Sequence, residues 1–191
     1  MKLIKGFYSR QGLWTLFLMS ALPIHVWTII LALRDFDWAS TRTNSWDAVG
    51  IISYGLLFAV LESLVLFIAA TILGFFVSGK WEEKRRISLL SAWVIILSLW
   101  SIFTQTYFLA EMSPPNWVVA FCIQTGRPLV ALYLIALIFS FLSFSIPAFF
   151  ILRSDKALKI TREVIDRLSL LMALYLVMDA AGLVIVIVRN L

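Results

Sequence analysis

The sequence predicts an all-α fold, a polytopic bundle of five transmembrane helices that makes a single integral membrane domain of residues 1–191. Three observations lead there. Hydrophobic residues make up 62% of the chain and charged residues only 14%, whereas an ordinary soluble domain carries about 25% charged residues. The charges are gathered into short clusters separated by apolar runs of about 20 residues or more, the length that crosses about 30 Å of hydrocarbon. Basic residues are shared unequally between the two sides that these runs define. No intervening segment is long enough to fold as a soluble domain. Any site must therefore lie in the bilayer, at its surfaces or on a partner.

The first run, at about 13–33, follows Lys2 and Lys5 as a signal peptide would. At about 21 residues it is too long for a signal-peptide core and is expected to remain as a helix. The second, at about 48–77, amounts to roughly 45 Å of helix and must tilt or project beyond the hydrocarbon. Its small residues Ala70, Gly74 and Ser78 recur every fourth position and would admit a closely packed neighbour. The third, at about 87–110, carries Trp93, Trp100 and Tyr107 at heptad spacing, with Ser91, Ser98 and Gln105 roughly opposite. The Ser/Gln stripe is expected to face the bundle, and the aromatic stripe lipid or a partner subunit.

Ser113-Pro114-Pro115 then opens a new element, and Gln124-Thr125-Gly126-Arg127-Pro128 interrupts it. The apolar stretch near 115–123 reads as a short interfacial or re-entrant helix in preference to one long helix kinked at Pro128. The fourth run spans about 128–152 and the fifth about 168–188. Between them, Ser154 can cap an amphipathic cytoplasmic segment near 155–167, preferred as an interfacial helix over an extension of the fifth span.

With these spans, Lys2, Lys5, Arg10, Lys80, Lys84, Arg85, Arg86, Arg153, Lys156, Lys159, Arg162 and Arg167 fall on one side. Arg34, Arg42, Arg127 and Arg189 fall on the other. The positive-inside rule puts the N-terminus in the cytoplasm and the C-terminus outside, consistent with a plasma (cytoplasmic) membrane. Trp14 and Trp81 then mark the inner interface, and Trp38, Trp46 and Trp117 the outer one.

The net charge of +5 is read as a topology signal facing anionic lipid. The basic runs are too short, and too far from any binding fold, for nucleic acid. One cysteine, Cys122, and one histidine, His25, leave no zinc or haem ligand set and no cofactor is expected. Asp35 and Asp37 lack further acidic neighbours, so no metal is assigned to them. No phosphate-binding loop, nucleophile elbow or metalloprotease motif is present, and no known family is recognisable.

The polar residues inside the apolar runs are the sharpest chemical clue. A carboxylate at the centre of a membrane helix costs about 2.5–3.5 kcal/mol on insertion scales. His25, Glu62 and Asp179 lie at depths of roughly 16–24 Å from the cytoplasmic ends and could meet. Pro23 precedes His25, Tyr175 stands one turn before Asp179, and Ser140 and Ser143 add hydroxyls from the fourth span. These residues define a candidate intramembrane polar site of His25, Glu62, Tyr175 and Asp179, which serves either a proton relay or simple structural hydrogen bonding. Glu111 and Arg127 are expected to form an ion pair at the outer face.

Three functional expectations follow. The leading one is a non-enzymatic subunit or accessory of a larger membrane assembly, with the bilayer and a protein partner or second copy as its contacts. The second is a small proton- or cation-linked transporter or channel using the midplane carboxylates. The third is a lipid-modifying enzyme.

Overall fold

The computed structural model describes residues 7–77 and 81–191. Lys2, Lys5, Ser78 and Lys80 lie outside the described residues. Among the described residues six helices follow in order: α1 (Arg10–Arg42), α2 (Ser45–Phe76), α3 (Glu83–Leu109), α4 (Asn116–Gln124), α5 (Pro128–Arg153) and α6 (Asp155–Asn190). All but α4 are long and apolar enough to cross a membrane.

α1 and α2 form a hairpin closed by Thr43 and Asn44. The Ser9 hydroxyl accepts from the Gly12 N–H at 3.0 Å to start α1. Asn44 starts α2 through a reciprocal pair: Oδ1 accepts from the Asp47 N–H at 2.8 Å while Nδ2 donates to Asp47 Oδ2 at 2.7 Å. α1 runs past the first apolar run, through Arg34, Asp35 and Asp37, because nothing in that polar stretch breaks a helix.

α1, α2, α3 and α6 pack around one another, and α1 is the central member. Every residue from Leu18 to Pro23 is buried, so the helix is covered on more than one face. α6 meets its neighbours along a heptad seam. Leu158, Ile165, Met172 and Asp179 are buried at seven-residue intervals, with Leu168, Tyr175 and Gly182 as the alternate set. This seam explains why the segment at 155–167 is no separate interfacial helix. Leu158 and Ile165 already belong to the packed seam, no Gly or Pro interrupts, and α6 runs unbroken for 36 residues. At about 54 Å it is longer than the hydrocarbon thickness of a bilayer.

α5 stands to one side, packed on α3, α4 and α6, and Ile151 is its single buried residue. The stretch near 115–123 is a distinct helix, α4, separated from α5 by a turn in which Gly126 takes φ +70°, and Pro128 opens α5. α5 also corrects the expected direction of the aromatic stripe. Trp93 packs against two apolar clusters, one of which includes Ile151 of α5 and Leu158 of α6. Trp100 Nε1 donates to Ser143 Oγ of α5 at 3.0 Å. Trp100 thereby gains an acceptor that lipid cannot supply, whereas the Trp93 indole is turned inward by apolar packing alone. On the opposite stripe Ser91 is buried, Ser98 half-buried and Gln105 exposed.

Arginines fasten the basic end. Arg85 Nη1 donates to the carbonyls of Ile151 and Leu152 at 2.9 and 3.0 Å, occupying orphan carbonyls at the end of α5, and its other arm pairs with Asp155. Arg86 is buried, donates to the Phe7 carbonyl and places its guanidinium 3.8 Å from the Phe7 ring centroid. Tyr8 donates to the Thr71 carbonyl at 3.0 Å across the open face of Gly74. Burial pushes the Tyr8 phenol above its ordinary pKa, against the opposing pull of Arg86. Ala70 and Gly74 therefore serve packing within the chain, as small residues on a membrane helix do.

Arg85→Ala is expected to lower stability by about 1–3 kcal/mol, because two carbonyls at the α5 terminus lose their donor. Asp155→Ala is expected to cost about 1 kcal/mol or less, since its carboxylate is 90% exposed. Unfolding of both variants in detergent checks the contrast. Equal losses would show that the ion pair, and not the carbonyl cap, holds this corner.

Candidate functional site

His25 comes from the centre of α1 and Asp179 from the seam of α6. Pro23 removes the N–H that would bond the Met19 carbonyl and sits two residues before His25. The imidazole Nδ1 donates to the Ala21 carbonyl at 2.8 Å, which requires the hydrogen on that nitrogen. Nε2 then faces both carboxylate oxygens of Asp179, 3.2 Å from Oδ1 and 3.0 Å from Oδ2. With Nδ1 carrying one hydrogen, a single further proton bonds the two side chains. Held on Nε2 it makes an imidazolium–carboxylate pair; held on the carboxyl it makes a neutral pair. The net charge is zero in either arrangement, the condition under which two ionisable groups are tolerated together in a low-dielectric interior.

The pair is sealed. His25 is 0% exposed and Asp179 is 7% exposed. Leu18, Met19, Leu22 and Met172 form the adjoining apolar cluster, with Leu176 packed against it. Tyr175 packs against the same cluster and makes no hydrogen bond to Asp179 among the described residues. Gly182, one turn beyond Asp179, lies against Ser53 and Leu56 of α2, where an added Cβ would sit 3.5 Å from the Ser53 carbonyl oxygen. That is ordinary van der Waals spacing, so α2 and α6 are in packing contact at this level.

Glu62 does not join them. Counted from the Thr43–Asn44 link, His25 and Glu62 both lie about 26 Å along their helices, so they share a depth. They differ in direction. Glu62 is exposed and lines a groove of about 590 Å³ between α1 and α2, whereas α6 packs on the face of α2 that carries Ser53 and Leu56. Among the described residues Glu62 has no hydrogen-bond or ion-pair partner. Ser143 is also elsewhere: it accepts from Trp100 and donates to the Ser140 carbonyl at 2.7 Å.

Glu111 and Arg127 form no ion pair with each other. Glu111 adopts φ +48° in the turn after α3. The ion pair that joins two helices at that end of the molecule is Arg189–Asp47 at 2.6 Å, supported by an Arg189 bond to the Trp46 carbonyl at 2.5 Å, while Arg34 pairs with its neighbour Asp35 within α1. It ties the end of α6 to the start of α2. The acidic first turn of α2 and the basic last turn of α6 were the sequence signals for it.

Fold and site together define a helical bundle, compatible with an integral membrane protein, built around one occluded histidine–aspartate pair. Comparison of the chain with known protein families, characterised proteins and solved structures gave no match.

His25→Leu and Asp179→Leu are each expected to destabilise the bundle by about 3–5 kcal/mol, because each leaves an unpaired polar group in an apolar core. The double variant is expected to lose clearly less than the sum of the two. Strictly additive losses in a double-mutant cycle would show that the contact contributes no coupling.

Proposed function

We propose that this chain is a non-enzymatic integral membrane protein that acts as a subunit or accessory of a larger membrane assembly, with α5 as its assembly face. The observation that carries this reading is the imbalance of α5. The helix is as apolar as the others, yet it buries Ile151 alone, while α1, α2 and α6 each bury several residues. Tyr133, Phe139 and Phe141 stand outward along it, each more than 60% exposed. Such broad aromatic side chains are the kind that anchor protein interfaces.

The interior supports the same reading. Its polar pair is closed and electroneutral, as suits a fastening between helices, and Glu62 and Asp179 are not placed to exchange a proton directly. A relay between the two carboxylates would need the groove face of α2 to turn toward α6.

Photocrosslinking residues placed at Phe139 and Leu142 on α5, and at Leu64 on α2, test the assignment in the native membrane. The two α5 positions are expected to yield one discrete heteromeric adduct and Leu64 none. A monodisperse monomer with no α5 adduct would remove the subunit reading.

A further inference from the structure

The groove between α1 and α2 is where the chain leaves an acidic side chain of a membrane-spanning helix without a partner among its described residues. Its volume of about 590 Å³ lies within the range of small-molecule sites, roughly 300–1,000 Å³. It runs on α2 from Ala48 to Glu62, about 21 Å of helix. Phe36 and Phe58 supply aromatic walls, Thr28 a hydroxyl, and Gly55 and Ala59 a low floor, while the Trp38 ring at the rim already carries the Arg42 guanidinium 4.3 Å from its centroid. Asp35 lines the groove toward the α1–α2 link, but Arg34 holds both its oxygens at 2.7 and 3.0 Å. The unpartnered acidic group of the groove is therefore Glu62.

We infer that this groove binds a lipophilic organic cation, with Glu62 as its counter-ion and the aromatic residues as its bed. The chemistry selects that class. An anion would meet an acidic groove. A hard metal ion needs more oxygen ligands than Glu62 and Thr28 provide and resists dehydration. An organic cation with a delocalised or shielded charge sheds water easily, places its apolar body against the walls and gains from aromatic faces as well as from the carboxylate. A carboxylate in an apolar setting is at the same time stabilised by the cation it receives. The inference is independent of the subunit proposal, which concerns α5 on another side of the molecule.

Tetraphenylphosphonium is the probe, titrated into the full chain in nanodiscs, with protein-free nanodiscs as the partition control. The expected result is saturable one-to-one binding, weakened at least tenfold by Glu62→Gln. Gly55→Phe, which projects a ring into the groove from a position where a Cβ meets ordinary van der Waals contact, is expected to weaken it similarly. Asp166→Asn, away from the groove, is expected to leave it unchanged. Binding no greater than in the protein-free control, or unaffected by Glu62→Gln, would overturn the proposal. Loss with Glu62→Gln but not with Gly55→Phe would overturn the assignment to this groove. Crosslinks from Phe58 to a partner's helix in the native membrane would show that protein, and not a small cation, fills it.

Discussion

The contact between His25 and Asp179 joins residues 154 positions apart and sets which helices stand next to one another. Neither group is tolerable alone in an apolar core, so α1 and α6 must be neighbours at that level, with the imidazole and carboxylate facing. Once they are, the short link at Thr43–Asn44 brings α2 back along α1, and the Gly182 face of α6 rests against Ser53 and Leu56 of α2. Three of the four central helices are positioned by this pair and one hairpin. α3 completes the group by packing its first turns on the opposite side of α1, where Leu16 meets Ile87, Leu90 and Val94.

The two ends are fastened by a different chemistry. At one end Arg189 spans Asp47 and the Trp46 carbonyl; at the other Arg85 and Arg86 reach main-chain carbonyls at the end of α5 and at Phe7. Arginine suits these tasks because its fixed fork reaches two acceptors at once while its stem packs along apolar surface. The bundle thus carries one neutral polar lock at mid-depth and charged clasps near its ends, where water and headgroups would lower the expense of ionisation. α5 shares only one of these clasps, which is consistent with its loose attachment along the rest of its length.

Five long helices were legible from the apolar runs, because length and charge spacing are one-dimensional properties. Their ends were less so. α1 continues to Arg42 and α6 begins at Asp155 because a helix does not stop where hydrophobicity stops, only where its hydrogen bonds or caps do. Direction around each axis was the hardest property to read. In a soluble helix the apolar face points inward, but in a bilayer both the lipid-facing and the core-facing sides are apolar, and periodicity loses its meaning. α2 shows the consequence: Ser63 is buried and Glu62, its neighbour in sequence, faces the groove. On α6 the heptad of Leu158, Ile165, Met172 and Asp179 did hold directional information, since a carboxylate at the fourth repeat of an apolar seam has to be met from a neighbouring helix. The aromatic stripe of α3 misled for the same reason that α2 was mute, and the acceptor on Ser143 settled its direction.

The chain therefore places two acidic residues, Glu62 and Asp179, within the same apolar layer and treats them in opposite ways. Asp179 is closed in with a complementary base and shares one proton with it, so its charge is spent on holding helices together. Glu62 is left on a groove face beside aromatic and small side chains, with none of the chain's own described cations to meet it. Stability alone does not favour that second placement, since a neutral glutamine or an alanine there would remove an expensive group without disturbing a contact. The unpartnered carboxyl is the feature on which the proposed cation site rests. This separates the fastening at the centre of the bundle from the chemistry on its flank.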